Sequence, residues 1–180
     1  LTSAQDGSIS GVHDLRNSTG ADLVVMLVDG DNSLCGLAYL MTTVSSSFAP
    51  FGYSVTQTSC ATGNYTFGHE IGHNMSARHD RANDNTDGSP FNYNHGYLDN
   101  GNNFKTIMGT GSNTRIQYFS NPNVLFSGAV TGVAEGDARV CQINCVNGHS
   151  VKLKCFAQPS IYGGNYGNTT RDIGRVIKGL

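Results

Sequence analysis

The sequence contains little charge. Asp, Glu, Lys and Arg make up 13% of its 180 residues, about half of the share that is usual in soluble domains. Eleven basic residues against thirteen acidic ones leave a net charge of −2, and this balance lacks the basic patch or stripe that marks a nucleic-acid-binding surface. We therefore expect no nucleic-acid partner.

Long hydrophobic runs are also missing. The longest wholly apolar run, residues 23–28, has six residues, whereas a membrane-spanning helix needs about 20, so we expect no membrane partner. The sequence does not start with Met and contains no signal-like segment, which leads us to expect that Leu1 begins a processed product or a fragment. Its length indicates a single domain with one core.

The polar residues that are present are mainly Gly, Asn, Ser and Thr. The 23 glycines predict many turns and loops with few long elements. Five cysteines match no standard zinc-finger spacing; in an exported protein they would form two disulfides and leave one thiol, and in a cytosolic protein all could be reduced. We favour the exported interpretation. The cysteines are Cys35, Cys60, Cys141, Cys145 and Cys155.

Hydrophobic patterning predicts a mixture of strands and helices. Continuous or alternating apolar residues predict the strands, and apolar residues three and four apart predict the helices. The predicted strands are residues 21–28, 35–41 and 53–58, and the predicted helices are residues 8–15, 65–77, 137–143 and 168–177. A long polar stretch covers residues 81–103, and stretches of this kind are usually functional or disordered. The chain is therefore predicted to be α+β.

The helix of residues 65–77 carries the strongest functional pattern. His69 and His73 are four residues apart, so both imidazoles lie on one helix face and can reach one zinc ion at about 2.0–2.1 Å. Phe67 and Ile71 lie roughly 200° round the helix from His69 and can face the core. Glu70 lies about 100° from His69, where a general base for a metal-bound water is needed.

A third histidine follows six residues later. His79 is too far along a continuing helix to reach the same ion, so the chain must leave the helix near Ser76 and turn back. Three protein ligands leave one position for water, which is typical of a catalytic rather than a structural zinc. The pattern thus predicts a zinc site formed by His69, His73 and His79.

These residues resemble the metzincin zinc peptidases, whose motif is H-E-x-x-H-x-x-G-x-x-H. Asp80, directly after the third histidine, resembles the reprolysin (adamalysin) branch, and residues 65–74 look most like bacterial reprolysin-like peptidases, including the peptidyl-Asp metalloendopeptidases. Residues 106–109 resemble the Met-turn of the family, with Met108 beneath the metal. Ser76 departs from the motif glycine, and at positive φ this costs roughly 1 kcal/mol.

The resemblance implies a zincin-type α+β fold in a single catalytic domain, residues 1–180. A twisted mixed sheet would pack on the active-site helix in an upper part, residues 1–79. The lower part, residues 80–180, would be irregular, with the Met-turn and a terminal helix. Reprolysin-like domains usually have a further strand–helix–strand unit upstream, so we expect a shortened or truncated N-terminal part, with a pro-segment or missing piece as a partner.

The resemblance also implies a secreted zinc endopeptidase that hydrolyses extended protein or peptide substrates. A zinc-bound water would be activated by Glu70, which returns the proton to the leaving amine. Met108 would form an apolar base under the metal. Asp80 would orient the base of the site through hydrogen bonds, although an ordinary turn aspartate is the alternative.

Substrate contacts are implied in the same way. Gly36, Leu37 and Ala38 would form the edge strand that pairs with substrate, unless they form an ordinary strand. Residues 115–122 resemble the segment that walls the S1′ pocket, and Arg115 could pair there with an acidic side chain or be an exposed arginine near a turn. A disulfide between Cys35 and Cys60 would staple the edge strand. The second would be Cys145–Cys155 or Cys141–Cys155.

Four alternative interpretations are less favoured. Residues 84–88 offer hard oxygens, but they lack the spacing and terminal Glu of an EF-hand loop, so Ca²⁺ is not the expected ion. His13, His95 and His149 are interpreted as surface residues or satisfied polar groups rather than ligands. A zincin-fold binding module without catalysis is disfavoured because Glu70 is present, and a structural zinc site would need a fourth protein ligand.

Overall fold

A computed structural model describes residues 9, 11–30, 33–133, 143–146 and 150–153. Its upper part is built on a three-stranded mixed sheet with the order β1-β3-β2. The strands are β1 (Val24–Val28), β2 (Gly36–Ala38) and β3 (Tyr53–Gln57). β3 runs parallel to β1 and antiparallel to β2, with Gly36 opposite Thr56.

The second strand is shorter than the predicted residues 35–41. It ends at Ala38 because the next residues bond to a helix instead of the sheet. The Tyr39 carbonyl accepts from Asn74 Nδ2 at 3.0 Å, and the Met41 amide donates to the His73 carbonyl at 3.1 Å. β2 is thus a short strand at one edge of the sheet.

The first helix lies further along the chain than predicted. Helix α1 spans Val12–Thr19, whereas the apolar spacing predicts residues 8–15. The Thr19 hydroxyl donates to the Leu15 carbonyl at 2.7 Å, so the helix continues through polar residues beyond the predicted end at Leu15. Gly20 then ends it in the left-handed conformation, φ 65°, which glycine adopts at little cost.

Three helical segments accompany the sheet. A 3₁₀ helix (Ser46–Phe51) connects β2 to β3, and helix α2 (Thr58–Ala61) and helix α3 (Thr66–Asn74) follow β3. A disulfide joins Cys35, just before β2, to Cys60 in α2. Because α3 packs on both β2 and β3, the sheet determines where its side chains point.

The buried face of α3 differs from the expected one. Phe67 and Ile71 are only half-buried, whereas the polar residues Thr66, His69, Glu70 and Asn74 are buried. Asn74 illustrates the reason, because its amide donates to the carbonyls of Tyr39 and Tyr53 at 3.0 and 3.2 Å. The helix therefore meets the sheet through polar contacts and a buried carboxylate.

The lower part contains short strands. A second mixed sheet consists of β4 (Leu98–Asp99), β5 (Phe104–Lys105) and β6 (Thr114–Arg115). One antiparallel pair consists of β7 (Leu125–Phe126) and β8 (Ala129–Val130). Another consists of β9 (Ile143–Val146) and β10 (Ser150–Leu153). Ile143 begins a strand rather than ending the helix predicted over residues 137–143. The rest of that helix, the helix of residues 168–177, Cys141 and Cys155 lie outside the described residues.

The apolar core of the described residues is small. Buried polar residues outnumber buried apolar ones, and the main apolar cluster consists of Ala77, Ile107 and Met108, with Tyr65 and Phe119 packed against it. This cluster lies beneath α3 and supports the predicted site. The architecture is α+β with small mixed sheets, in agreement with the fold class predicted from the sequence.

In the part of the chain that the structure describes, none of the helices has the length and apolar character that crossing a bilayer requires.

Candidate metal centre

The three predicted histidines come together at the end of α3. Their ligand atoms all lie within 4.8 Å of one another, and the described residues contain this one group of His, Cys, Asp or Glu side chains that could hold a metal ion. Nε2 of His69 lies 3.1 Å from Nε2 of His79. Two ligands of one tetrahedral zinc at 2.0–2.1 Å are about 3.3 Å apart, so the spacing fits zinc.

The chain reaches this arrangement by leaving the helix at Ser76, where φ is 72°. This is the positive φ expected at the motif position that is usually glycine. The Ala77 amide donates back to the Gly72 carbonyl at 2.8 Å, and the Ser76 carbonyl accepts from Asn94 Nδ2 at 2.5 Å. These bonds hold the turn and redirect the chain toward His79.

Backbone carbonyls orient two of the rings. Nδ1 of His69 donates to the Ile107 carbonyl at 2.7 Å, and Nδ1 of His73 donates to the Ala77 carbonyl at 2.9 Å. Because a carbonyl can only accept, these bonds assign the proton to Nδ1 and leave Nε2 with its lone pair. Each ring therefore presents the atom that a metal would bind.

Burial keeps the rings neutral. It lowers the pKa of His69 to about 3, although the bond to Ile107 opposes this. It lowers the pKa of His73 to about 4, with His79 adding to the effect, and it also lowers the pKa of His79. Neutral imidazoles are the form that binds metal, so the donor set fits zinc in chemistry as well as in spacing.

Glu70 is buried next to the triad on the same helix. Burial raises its pKa to about 7, although the charge of Arg115 opposes this rise. A Cβ built on Gly36 would lie 2.6 Å from Glu70 Oε1 and 2.8 Å from Thr66 Cγ2. The carboxylate therefore occupies space that exists only because residue 36, in the edge strand, has no side chain.

Met108 lies under α3, with 1% of its surface exposed. A Cβ on Gly72 would be 2.5 Å from Met108 Sδ, so the thioether packs directly against the helix between the two helical histidines. The Gly109 amide donates to the Thr106 carbonyl at 2.9 Å, which closes a tight turn around Met108. An apolar, tightly packed surface thus lies beneath the triad.

Asp80 connects the chain after His79 to the turn after Met108. Its Oδ2 accepts from the amide and the hydroxyl of Thr110, both at 2.8 Å, and its Oδ1 accepts from the Ala82 amide at 3.1 Å. Burial alone would raise the pKa of Asp80, and the bonds from Thr110 and Asn83 bring it below its usual value. The carboxylate joins two segments of the site.

Arg115 is half-buried rather than an exposed arginine near a turn. Its guanidinium donates to the Asn64 carbonyl at 3.0 Å and to the Gly109 carbonyl at 2.9 Å. It therefore connects the residues just before α3 to the turn around Met108, and it lies close enough to Glu70 for the two charges to interact. Its Nε–H is buried and has no hydrogen-bond partner among the described residues.

The other predicted residues lie around this centre. Leu37, the middle residue of β2, is 65% exposed, and β2 has no further strand partner in the described part of the chain. The acids considered for calcium form ion pairs instead. Asp84 contacts Arg78 at 2.6 Å and Asp87 contacts Arg81 at 2.6 Å.

Sequence reasoning assigned no role at the site to His95, Asn94 or Gly96. His95 is a satisfied polar group, as one of the two interpretations had it, but it bonds to the backbone of His79 at 2.8 Å. Its position in a polar loop contains no local pattern that points to this contact. The two residues are 16 positions apart and meet only because the chain folds back between them.

Comparisons with known proteins agree with this geometry. A reprolysin-type family model, described as metallo-peptidase family M12, matches residues 1–120. The peptidyl-Asp metalloendopeptidase of Stenotrophomonas maltophilia (strain R551-3) is 41% identical over 136 residues, which are 72% of this chain and 31% of the relative. That of Xanthomonas campestris pv. campestris is 41% identical over 133 residues, 72% of this chain and 30% of the relative.

A shorter match is to the peptidyl-Asp metalloendopeptidase of Pseudomonas fragi, 47% identical over 75 residues, 39% of this chain and 51% of the relative. The chain spans about a third of the length of the first two relatives. No solved structure gives a significant match. The extent of the family match, together with three histidines converging beside a buried glutamate, shows that the chain belongs to the reprolysin-like metallo-peptidases of family M12.

Proposed function

We propose that the chain is a secreted, zinc-dependent endopeptidase in which His69, His73 and His79 hold the catalytic metal and Glu70 is the general base. One observation carries the proposal: three neutral imidazoles lie within 4.8 Å of one another beside a buried carboxylate on the same helix. Residues 1–79 and 80–180 would form the upper and lower parts of one catalytic domain, with the site between them.

The bound zinc would supply Lewis-acid chemistry, which polarises the scissile carbonyl and acidifies water. Glu70 performs the proton transfers: a carboxylate oxygen accepts the proton of the attacking water and then delivers it to the leaving amine. Burial raises its pKa to about 7 in the metal-free site, and the charge of a bound zinc ion would lower it again. Burial of the carboxylate keeps bulk water from competing for that proton.

Met108 and Asp80 would hold the base of the site. Met108 forms the Met-turn, because its thioether fills the space under Gly72 and supports the helix that carries two ligands. Asp80 fixes that turn to the segment of the third ligand through its two bonds from Thr110. Neither residue needs to contact the metal for this role.

The edge strand β2 would bind extended substrate. Among the strands that the structure describes, Gly36, Leu37 and Ala38 pair only with β3, so their other backbone groups are placed to add a substrate strand. The disulfide between Cys35 and Cys60 holds the start of this strand near α2. A disulfide is also typical of proteins in oxidising, extracellular compartments, which supports secretion.

The relatives are named for cleavage at Asp, and we extend this preference to the present chain through Arg115. A guanidinium has five N–H donors, and two of those of Arg115 are used by the Asn64 and Gly109 carbonyls. The remaining donors can bind an acidic P1′ side chain beside the scissile bond.

Arg115→Gln is therefore expected to reduce the preference for Asp over Asn at P1′ about tenfold, since hydrogen bonds to charged groups contribute roughly 1.5–3 kcal/mol. The measurement is kcat/KM on two peptides that differ only at P1′. Arg115→Lys should retain part of the preference because it keeps the charge but not the fork geometry. Equal cleavage of the two peptides by the unmodified chain would rule out this role for Arg115.

The proposed function is tested by loading the full chain with zinc and mapping cuts in a denatured protein by mass spectrometry. Internal cleavages are expected, which a chelator stops and added zinc restores. A zincin-fold binding module would hold zinc without producing any cut, and that result would overturn the proposal.

A further inference from the structure

The third histidine of the triad is held in place differently from the other two. His69 and His73 are positioned by helix α3, but His79 lies beyond the helix exit and needs support from elsewhere in the chain. Residues 94–96 run alongside it. The Arg78 amide donates to the Asn94 carbonyl at 2.7 Å, and the Gly96 amide donates to the Arg78 carbonyl at 2.9 Å.

The ring of His95 is almost completely buried, with 1% of the residue exposed. Its Nδ1 lies 2.8 Å from the His79 carbonyl and its Nε2 lies 3.1 Å from the Thr86 carbonyl. The Ser120 hydroxyl donates to the carbonyl of His95 at 2.6 Å. Burial lowers the pKa of His95, so the ring is neutral and has one N–H, which the shorter distance assigns to the bond from Nδ1 to the His79 carbonyl. The main chain of His95 is itself anchored from another segment.

The same segment contacts the Met108 turn. A Cβ on Gly96 would lie 2.5 Å from the carbonyl carbon of Met108 and 2.6 Å from the Gly109 nitrogen. Only glycine permits this approach of two backbones. Residues 94–96 therefore touch both the main chain of His79 and the turn beneath the triad, so a shift of this segment would move both.

We propose that His95 is a positioning residue that holds the main chain of His79 through an Nδ1–H···O=C bond, so that the third imidazole faces the other two. The inference rests on the proposed function, in which His79 is a zinc ligand. His95 does not contact the metal; it acts through the carbonyl of the ligand residue.

Two amide substitutions separate the two contacts of the His95 ring. The nitrogen of an Asn side chain can take the place of Nδ1 and donate to the His79 carbonyl, whereas the longer Gln places its nitrogen near Nε2 and can donate only to the Thr86 carbonyl. His95→Leu has no donor for either carbonyl. Loss of a group that orients a metal ligand typically weakens metal binding 10–100-fold.

We therefore expect His95→Leu and His95→Gln to raise the zinc dissociation constant about tenfold or more, and His95→Asn to stay within about threefold of the unmodified chain. Chelator competition measures the constant. The visible spectrum of the cobalt-substituted protein reports the geometry of the site independently and should change in the Leu and Gln variants alone.

Thr131→Val is the matched control. Thr131 is fully buried and donates to a backbone carbonyl, that of Asn121, at 2.9 Å. This variant should unfold more easily without any change in zinc affinity. Equal zinc affinity in the Asn and Gln variants, or wild-type affinity in all three His95 variants, would overturn the inference.

If none of the His95 variants folds, Ser120→Ala decides, because it removes the bond to the His95 carbonyl and leaves the ring in place. Weaker zinc binding is then expected, and unchanged binding overturns the inference. If the unmodified chain binds zinc and cleaves peptides, and the variants bind zinc equally well, only the role of His95 is disproved. A parent that binds no zinc defeats the proposed function together with it.

Discussion

Replacing Glu70 with Gln is expected to lower kcat by about a thousandfold while the protein keeps its zinc, since general acid–base groups contribute roughly 10²–10⁴ in rate. Gln has the same shape and fills the same space opposite Gly36, so the fold and the triad should be preserved. It cannot accept a proton from water. The loss should therefore appear in kcat and not in metal content.

The measurement pairs kcat and KM on one peptide with the zinc content of the same sample. Asp14→Asn, which removes one negative charge from the exposed side of α1, serves as the control and should have wild-type turnover. Glu70→Ala should behave like the Gln variant. Undiminished turnover in both Glu70 variants would remove this residue from its proposed role.

The substitution Gly36→Ala is expected to reduce kcat about a hundredfold, with little change in zinc content. The added Cβ would lie 2.6 Å from Glu70 Oε1 and 2.7 Å from its Cγ, distances at which the glutamate must move. Displacement of a catalytic group by about 1 Å can cost 10² in rate. KM should change little, because the backbone groups of β2 that would pair with a substrate strand are unchanged.

Gly63→Ala is the matched control, because nothing lies within 4 Å of a Cβ at that position. It tests whether one extra methyl group in the segment between α2 and α3 is harmless in itself. If Gly36→Ala retained wild-type kcat, Glu70 would have to be able to work from a second position. The space opposite the glutamate would then be irrelevant to catalysis.

The parts of the site that a local pattern encodes could be predicted from the sequence. His69 and His73 are linked by helix periodicity alone, and the exit at Ser76 follows from the need to bring His79 back. The three strands of the upper sheet were predicted because their apolar residues are continuous or alternate with polar ones. Each of these inferences depends on residues fewer than about a dozen positions apart.

Contacts between distant residues could be predicted only where the family resemblance supplied them, as for the disulfide between Cys35 and Cys60. Gly36 faces Glu70 across 34 positions, and Arg115 bonds to Asn64 across 51; no spacing rule connects such pairs. The shift of α1 has a different cause. Side-chain hydroxyls that often stop helices can also bond back to the preceding turn, and the sequence does not show which of these outcomes occurs.

The polar interior has a consequence for how the domain responds to temperature. Exposure of apolar surface on unfolding increases the heat capacity, and exposure of polar surface decreases it. In the described residues the buried side chains are mostly polar, so this part of the molecule should contribute a small heat-capacity increment. Its curve of unfolding free energy against temperature should accordingly be broad and shallow. The free energy of unfolding should therefore decrease only slowly on cooling.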